Sequence, residues 1–143
     1  MAHAVCTFRA YRIEVGEDGW PEGRMTTIAL SDLNEGELIV RVAYSNLNYK
    51  DALAATGAGR IARRIPIVGG IDVAGVVESS EDPRFGEGEE VMVTGFGLSE
   101  DRDGGYAEYA RLKADHALAL PRGLGAEEAM ALGTARGSRP PCR

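Results

Sequence analysis

A mainly β fold, a β-barrel with short helical additions, is predicted by three observations. Glycine supplies 19 of the 143 residues, roughly twice its usual share of ~7%. Short β-like runs recur along the chain with turn chemistry between them. Only two segments have helical composition, and both are short. Many glycines among short strands imply tight turns and bulges, which suit a barrel or sandwich better than a helical bundle. At 143 residues the chain fits one domain of ordinary size.

The elements follow in order. Residues 4–11 read as a first strand, and the stretch 16–23, rich in Gly and Asp, as a turn. Residues 25–30 are weakly strand-like and 32–37 form a polar turn. Residues 38–44 alternate apolar and polar side chains, as a half-buried strand does. Residues 48–55 are helical in composition, and Gly57 and Gly59 end that helix. The run 71–78 is apolar and rich in valine, the mark of a buried strand. Turn chemistry at 82–88 precedes a strand at 90–94, a polar glycine-bearing loop at 95–105, and strands at 106–112 and 117–120. A second helix is predicted over 125–132, with Glu127 and Glu128 at the positive end of its dipole.

The last eight residues, 136–143, break from this pattern. Three arginines, two prolines and no aliphatic side chain are not expected to pack a core or continue the helix. Two readings stay open: a disordered natural tail, or the product of a shifted reading frame or truncation. Residues 1–135 are read as one domain.

A net charge of −6 argues against nucleic acid as a partner, because phosphates want a basic face. Cys6 and Cys142 sit at opposite ends of the chain, a usage that fits a reducing compartment better than a disulfide scaffold. The first eight residues lack the basic-then-apolar pattern of a leader, and no apolar run approaches the ~20 residues that span a bilayer. A cytoplasmic location and no membrane association are the expectations.

The residues able to carry chemistry gather at 45–51, Ser-Asn-Leu-Asn-Tyr-Lys-Asp, between a strand and a helix. Such corners commonly hold ligand-contacting groups. Tyr49 donates through a phenol that is neutral at pH 7, Asn48 through its amide, and Lys50 carries a full charge. Each has a plainer reading: Tyr49 as a packing residue, Asn48 as a helix cap, and Lys50 with Asp51 as a solvated surface pair. Asp72 opens the buried strand, so its carboxylate must find a partner, and a structural role is expected. Arg60, Arg63 and Arg64 sit in a glycine-hinged loop, either as an exposed basic loop or as a phosphate contact. Gly95-Phe96-Gly97 lacks the full dinucleotide fingerprint and a following helix.

Residues 4–135 resemble the zinc-independent medium-chain dehydrogenases/reductases of the quinone oxidoreductase and acrylyl-CoA reductase type. The resemblance is carried by residues 47–53 (Leu-Asn-Tyr-Lys-Asp-Ala-Leu), 66–77, 80–85 and 104–108 (Gly-Gly-Tyr-Ala-Glu). It implies a GroES-like catalytic domain, built as a partly open β-barrel, and NADPH-dependent reduction of a small-molecule substrate, a conjugated thioester or quinone. Hydride would add at the β-carbon, and preorganised donors would steady the charge on the carbonyl oxygen. Tyr49 would face the nicotinamide, with Asn48 and Lys50 beside it, and Arg60 and Arg64 would meet the phosphates of a CoA thioester. In zinc-dependent relatives a cysteine ligand stands at the place of Asn48 and a histidine at the place of Ile71. An amide and an isoleucine do not replace them, so no metal is expected.

The resemblance also implies what lies elsewhere. Relatives run from a Gly-Thr-Ala like that at 133–135 into a Rossmann domain, whose βαβ units and glycine fingerprint the present sequence lacks. The chain alone is therefore expected to be inactive, and to self-associate through an apolar face. The alternative is a non-catalytic GroES-like interaction module, since fold does not fix function.

Overall fold

The computed structural model describes residues 7–137; the expected strand start at 4–6, both cysteines and residues 138–143 of the tail lie outside that range. The strands are β1 (Phe8–Val15), β2 (Pro21–Ile28), β3 (Leu38–Ser45), β4 (Ile67–Val68), β5 (Asp72–Ser80), β6 (Glu90–Thr94), β7 (Tyr109–Leu112) and β8 (Leu118–Ala119). Two α-helices, α1 (Tyr49–Thr56) and α2 (Ala126–Gly137), and two single-turn 3-10 helices, Leu30–Asp32 and Ala114–His116, complete the described fold. One sheet has the order β2-β1-β4 and the other β7-β3-β5-β6-β8. Every pairing between these strands is antiparallel.

A short segment ties the two sheets together. The Tyr11 amide donates to the Tyr106 carbonyl (2.7 Å) and the Glu108 amide to the Arg9 carbonyl (3.0 Å). From the other sheet, the Val42 amide donates to the Glu108 carbonyl (2.9 Å). The sheets stay distinct, so the barrel is partly open, as the resemblance implied. The alternation in β3 buries Leu38 and Val40 against Val73, Val77, Val91 and Val93, the centre of the larger core. Phe8, Ala10, Ile28 and Val68 form a second cluster under the smaller sheet. Met130 and Ala126 of α2 pack on Ala74 of β5.

Several boundaries differ from the sequence reading, three of them for a clear physical reason. β2 begins at Pro21, inside the expected turn, because the hairpin register carries Gly23, Glu22 and Pro21 into pairing with Ile13, Glu14 and Val15. Tyr106 and Ala107 precede β7 and serve as the link between sheets instead. α2 passes beyond Leu132 and includes Arg136 and Gly137, which were expected to lie outside any helix. Its backbone leaves helical geometry at Gly133 (φ 13°, ψ −172°) and then resumes, since alanine and arginine are good helix formers.

Candidate functional site

β3 delivers its last residue, Ser45, to the corner, and α1 starts four residues later with Asn48 as the residue before its first turn (φ −116°, ψ 155°). The Asn48 backbone N–H is satisfied by the Asp51 carboxylate (2.8 Å), one arm of a capping box. The Asp51 N–H goes to the Asn48 backbone carbonyl (3.0 Å), which leaves the Asn48 side chain free for other work. Asp51 uses its second oxygen to accept the Ile71 N–H (3.0 Å), so α1 is pinned to the start of β5. Gly57, in a left-handed conformation (φ 72°), ends the helix.

Asp51 is therefore not half of a solvated pair with Lys50. It is 4% exposed, and neighbouring residues on a helix point in different directions. Lys50 turns the other way and pairs with Glu100. The plainer reading of these two residues is corrected on both sides.

The Asn48 side chain, itself buried, donates from Nδ2 to Asp72 Oδ2 (3.0 Å). Asp72 is fully buried and accepts twice more, from the Thr134 hydroxyl (2.5 Å) and the Thr134 backbone N–H (3.1 Å). This carboxylate fixes which way the amide faces: only an N–H₂ can approach it. Asn48 Oδ1 consequently points away, buried and without a hydrogen-bond partner. Such an acceptor is costly to leave unmet, and is a place where a ligand's donor or a water is satisfied. Tyr49 stands beside it with 81% of its surface exposed.

Tyr106 closes the floor of the corner. Its hydroxyl donates to the Asn46 carbonyl (2.8 Å). Burial first, and then the Asp51 carboxylate, push its pKa well above the ordinary tyrosine value. The folded state thus holds this proton more tightly than the unfolded chain does. Stability is intact below ~10 and is lost progressively as pH rises from there through the raised folded value. Thermal midpoints measured across that alkaline window should fall in the native chain and fall less in Tyr106→Phe; equal slopes would refute the assignment.

The structure brings Tyr49, Asn48 and Lys50 to one corner but separates the two arginines. Arg64 is held by the buried Asp103 carboxylate (3.0 Å) and by the Asn34 side-chain oxygen (3.2 Å). Arg60 instead lines a cavity of about 420 Å³ beyond the C-terminal end of α1, with Trp20, Pro21 and Ala54. Thr134, Glu100, Asp103 and Tyr106 were missed as partners. Tyr106 alone had a local signal, the Gly104-Gly105 that precedes it and lets the backbones approach. Asp103 satisfies the Val68 and Asn34 amides (both 2.9 Å), contacts far apart in sequence.

A zinc ion does not fit this donor set. Asp72 already accepts three hydrogen bonds, Asn48 offers only an amide oxygen, and Ile71 is apolar. Among the described residues no three His, Cys, Asp or Glu side chains are grouped to hold a metal ion. No helix among them is long and apolar enough to cross a membrane.

Comparison with known proteins finds relatives over most of this chain. The protein named Probable acrylyl-CoA reductase AcuI of Escherichia coli (strain K12) is 51% identical over 119 residues, covering 83% of this chain and 37% of that protein. YhfP of Bacillus subtilis (strain 168), a candidate quinone oxidoreductase by name, is 49% identical over 109 residues, 76% of this chain and 33% of its own. Among solved structures, the yhdH oxidoreductase of Salmonella enterica in complex with NADP superimposes with a TM-score of 0.86 at 48% identity. That match covers 90% of this chain and 39% of the other. The chain thus spans well under half the length of these relatives. Residues 34–122, more than half of the chain, match the alcohol dehydrogenase GroES-like domain. With two antiparallel sheets, a β3–α1 corner and that match, the chain belongs to the alcohol dehydrogenase GroES-like domain family.

Proposed function

We propose that this chain is the substrate-side domain of an NADPH-dependent oxidoreductase that reduces a conjugated carbonyl, either an acrylyl-CoA-like thioester or a quinone. The observation that carries the reading is the corner itself: an exposed Tyr49 phenol beside an Asn48 amide whose orientation a buried carboxylate fixes. The match to an oxidoreductase solved in complex with NADP supports the cofactor. NADPH, when bound, supplies the hydride. Tyr49 would flank the nicotinamide, and the unpaired Asn48 Oδ1 suits a carboxamide N–H or a substrate hydroxyl.

The chain's own residues then act by position and field. The Tyr49 hydroxyl and the second Asn48 N–H are donors for the carbonyl oxygen on which negative charge builds. Lys50 adds its charge from the rim, where Glu100 already holds it. Exposed Leu47 and Tyr49 form an apolar edge that a nucleotide-binding domain, or a second copy of this chain, would cover.

The test is a chimaera in which this chain replaces the equivalent part of the Salmonella yhdH protein. NADPH oxidation with acrylyl-CoA or a quinone is expected from the chimaera and none from the 143-residue chain alone. Tyr49→Phe should lower kcat/KM about 100-fold, the scale of one lost donor. A folded chimaera that binds NADPH yet reduces neither substrate would favour the non-catalytic interaction module.

A further inference from the structure

We infer that Trp20 and Arg60 form a subsite for the phosphorylated adenosine end of a coenzyme A thioester. This rests on the reductase reading above and decides between its two substrate classes. The two residues both line the cavity of about 420 Å³ at the C-terminal end of α1, a volume within the ~300–1,000 Å³ range of small-ligand sites.

Both walls are built in advance of any ligand. Trp20 sits at the tip of the β1–β2 hairpin, its backbone N–H donating to Asp18 Oδ1 (3.0 Å) and its backbone carbonyl accepting the Gly16 N–H (2.8 Å). The indole carried by this turn is 65% exposed. Pro21 presses on Gly57, where an added Cβ would lie 2.7 Å from the proline ring, so hairpin and helix end are locked together. Arg60 has a left-handed backbone (φ 49°), which a residue with a β-carbon adopts only where its surroundings hold it there.

The chemistry of the pair selects the ligand. Arg12, Arg24 and Arg64 are each engaged by a carboxylate, whereas Arg60 forms no ion pair among the described residues. A planar base stacks on an indole face, and a free guanidinium fork takes a phosphate. No other described cavity pairs these features. The larger depression beside it is walled by Glu14, Glu17, Asp18 and Glu22, which repel an anion. In the groove beside Tyr44 and Met25, Arg9 is already paired with Glu108.

Distance separates the substrates. α1 has eight residues, so the cavity lies ~12 Å along the helix from the Tyr49 corner. A ligand with its base on Trp20 and its reactive carbonyl at Tyr49 needs an extended linker between them. A CoA thioester has one in its pantetheine arm; a quinone does not.

Trp20 is the single tryptophan of the chain, so its emission reports this cavity directly. The 143-residue chain would be titrated with butyryl-CoA, with 3′,5′-ADP and with NADPH. Saturable quenching by butyryl-CoA and, more weakly, by 3′,5′-ADP is expected, with no comparable response to NADPH. Arg60→Ala should raise the Kd for butyryl-CoA at least fivefold and Arg60→Lys by less, with circular dichroism unchanged in both. Absence of saturable quenching by butyryl-CoA, an unchanged Kd in Arg60→Ala, or an equal response to NADPH would each overturn the subsite. These results are independent of turnover in the chimaera: loss of the subsite leaves the reductase reading standing, and failure of turnover leaves the subsite standing.

Discussion

Gly104→Ala is expected to destabilise the fold by at least ~3 kcal/mol, near the upper end for overpacking a tight contact. Three successive amides here, from Gly104, Gly105 and Tyr106, donate to the carbonyls of Val68, Gly70 and Gly69, each at 2.9 Å. This clasp holds the end of the 95–105 loop against the approach to β5. A Cβ at Gly104 would lie within 3.0 Å of the Gly69 and Gly70 carbonyl oxygens. Both obstacles are backbone, which cannot rotate aside as a side-chain tip can. Gly86→Ala is the matched control: the nearest atom to its added Cβ is a flexible Glu89 oxygen at 3.9 Å. Urea denaturation should show the midpoint falling for Gly104→Ala and nearly unmoved for Gly86→Ala. Comparable losses in both would mean that helical and strand propensity, and not the clasp, set the cost.

The same clasp shows where sequence reasoning succeeds and where it stops. Strands such as β3 and β5 are legible because burial imposes a period or a run of apolar side chains along contiguous residues, as Leu38 and Val40 or Val73 and Val77 do. The helix at 48–55 is legible from its cap and its glycine stop. β4 is not, because a two-residue strand has no period, and its pairing with Ile13 and Arg12 depends on chain that lies more than fifty residues away. Asp51 and Asp103 fail for a related reason. A buried carboxylate that binds remote amides has the same one-letter neighbourhood as one that faces water. Its role appears only when Ile71 or Val68 arrives beside it.

The site divides along the same line. Tyr49 and Asn48 could be placed at a corner from local sequence, and the resemblance added a role for each. The direction in which Asn48 faces could not, since it is set by Asp72 across 24 positions. Arg60 and Arg64 look equivalent in sequence, yet Asp103 takes one and leaves the other for the Trp20 cavity. Proximity along the chain grouped them; three-dimensional partners separate them.

Asp72→Ala is expected to cost ~3–5 kcal/mol, which makes it the most damaging single change at the corner. The carboxylate satisfies three donors at once: Asn48 Nδ2, the Thr134 N–H and the Thr134 hydroxyl. Removing it takes a shared acceptor from donors in both α1's cap and α2, at a carboxylate that is itself fully buried. Each stranded group costs ~1–3 kcal/mol, and the three are coupled, so the sum is less than additive. Asn48→Ala gives the contrast. It removes one hydrogen bond but also abolishes the orphaned Oδ1, so about 1 kcal/mol is expected. Denaturant midpoints of the two variants, with the double mutant closing the cycle, measure the coupling directly. A large cost for Asp72→Ala beside a small one for Asn48→Ala places the carboxylate at the centre of the corner, holding both α2 and the amide in place. Equal small costs would mean that packing alone orients Asn48, and the reading of Oδ1 as a directed acceptor would fall with it.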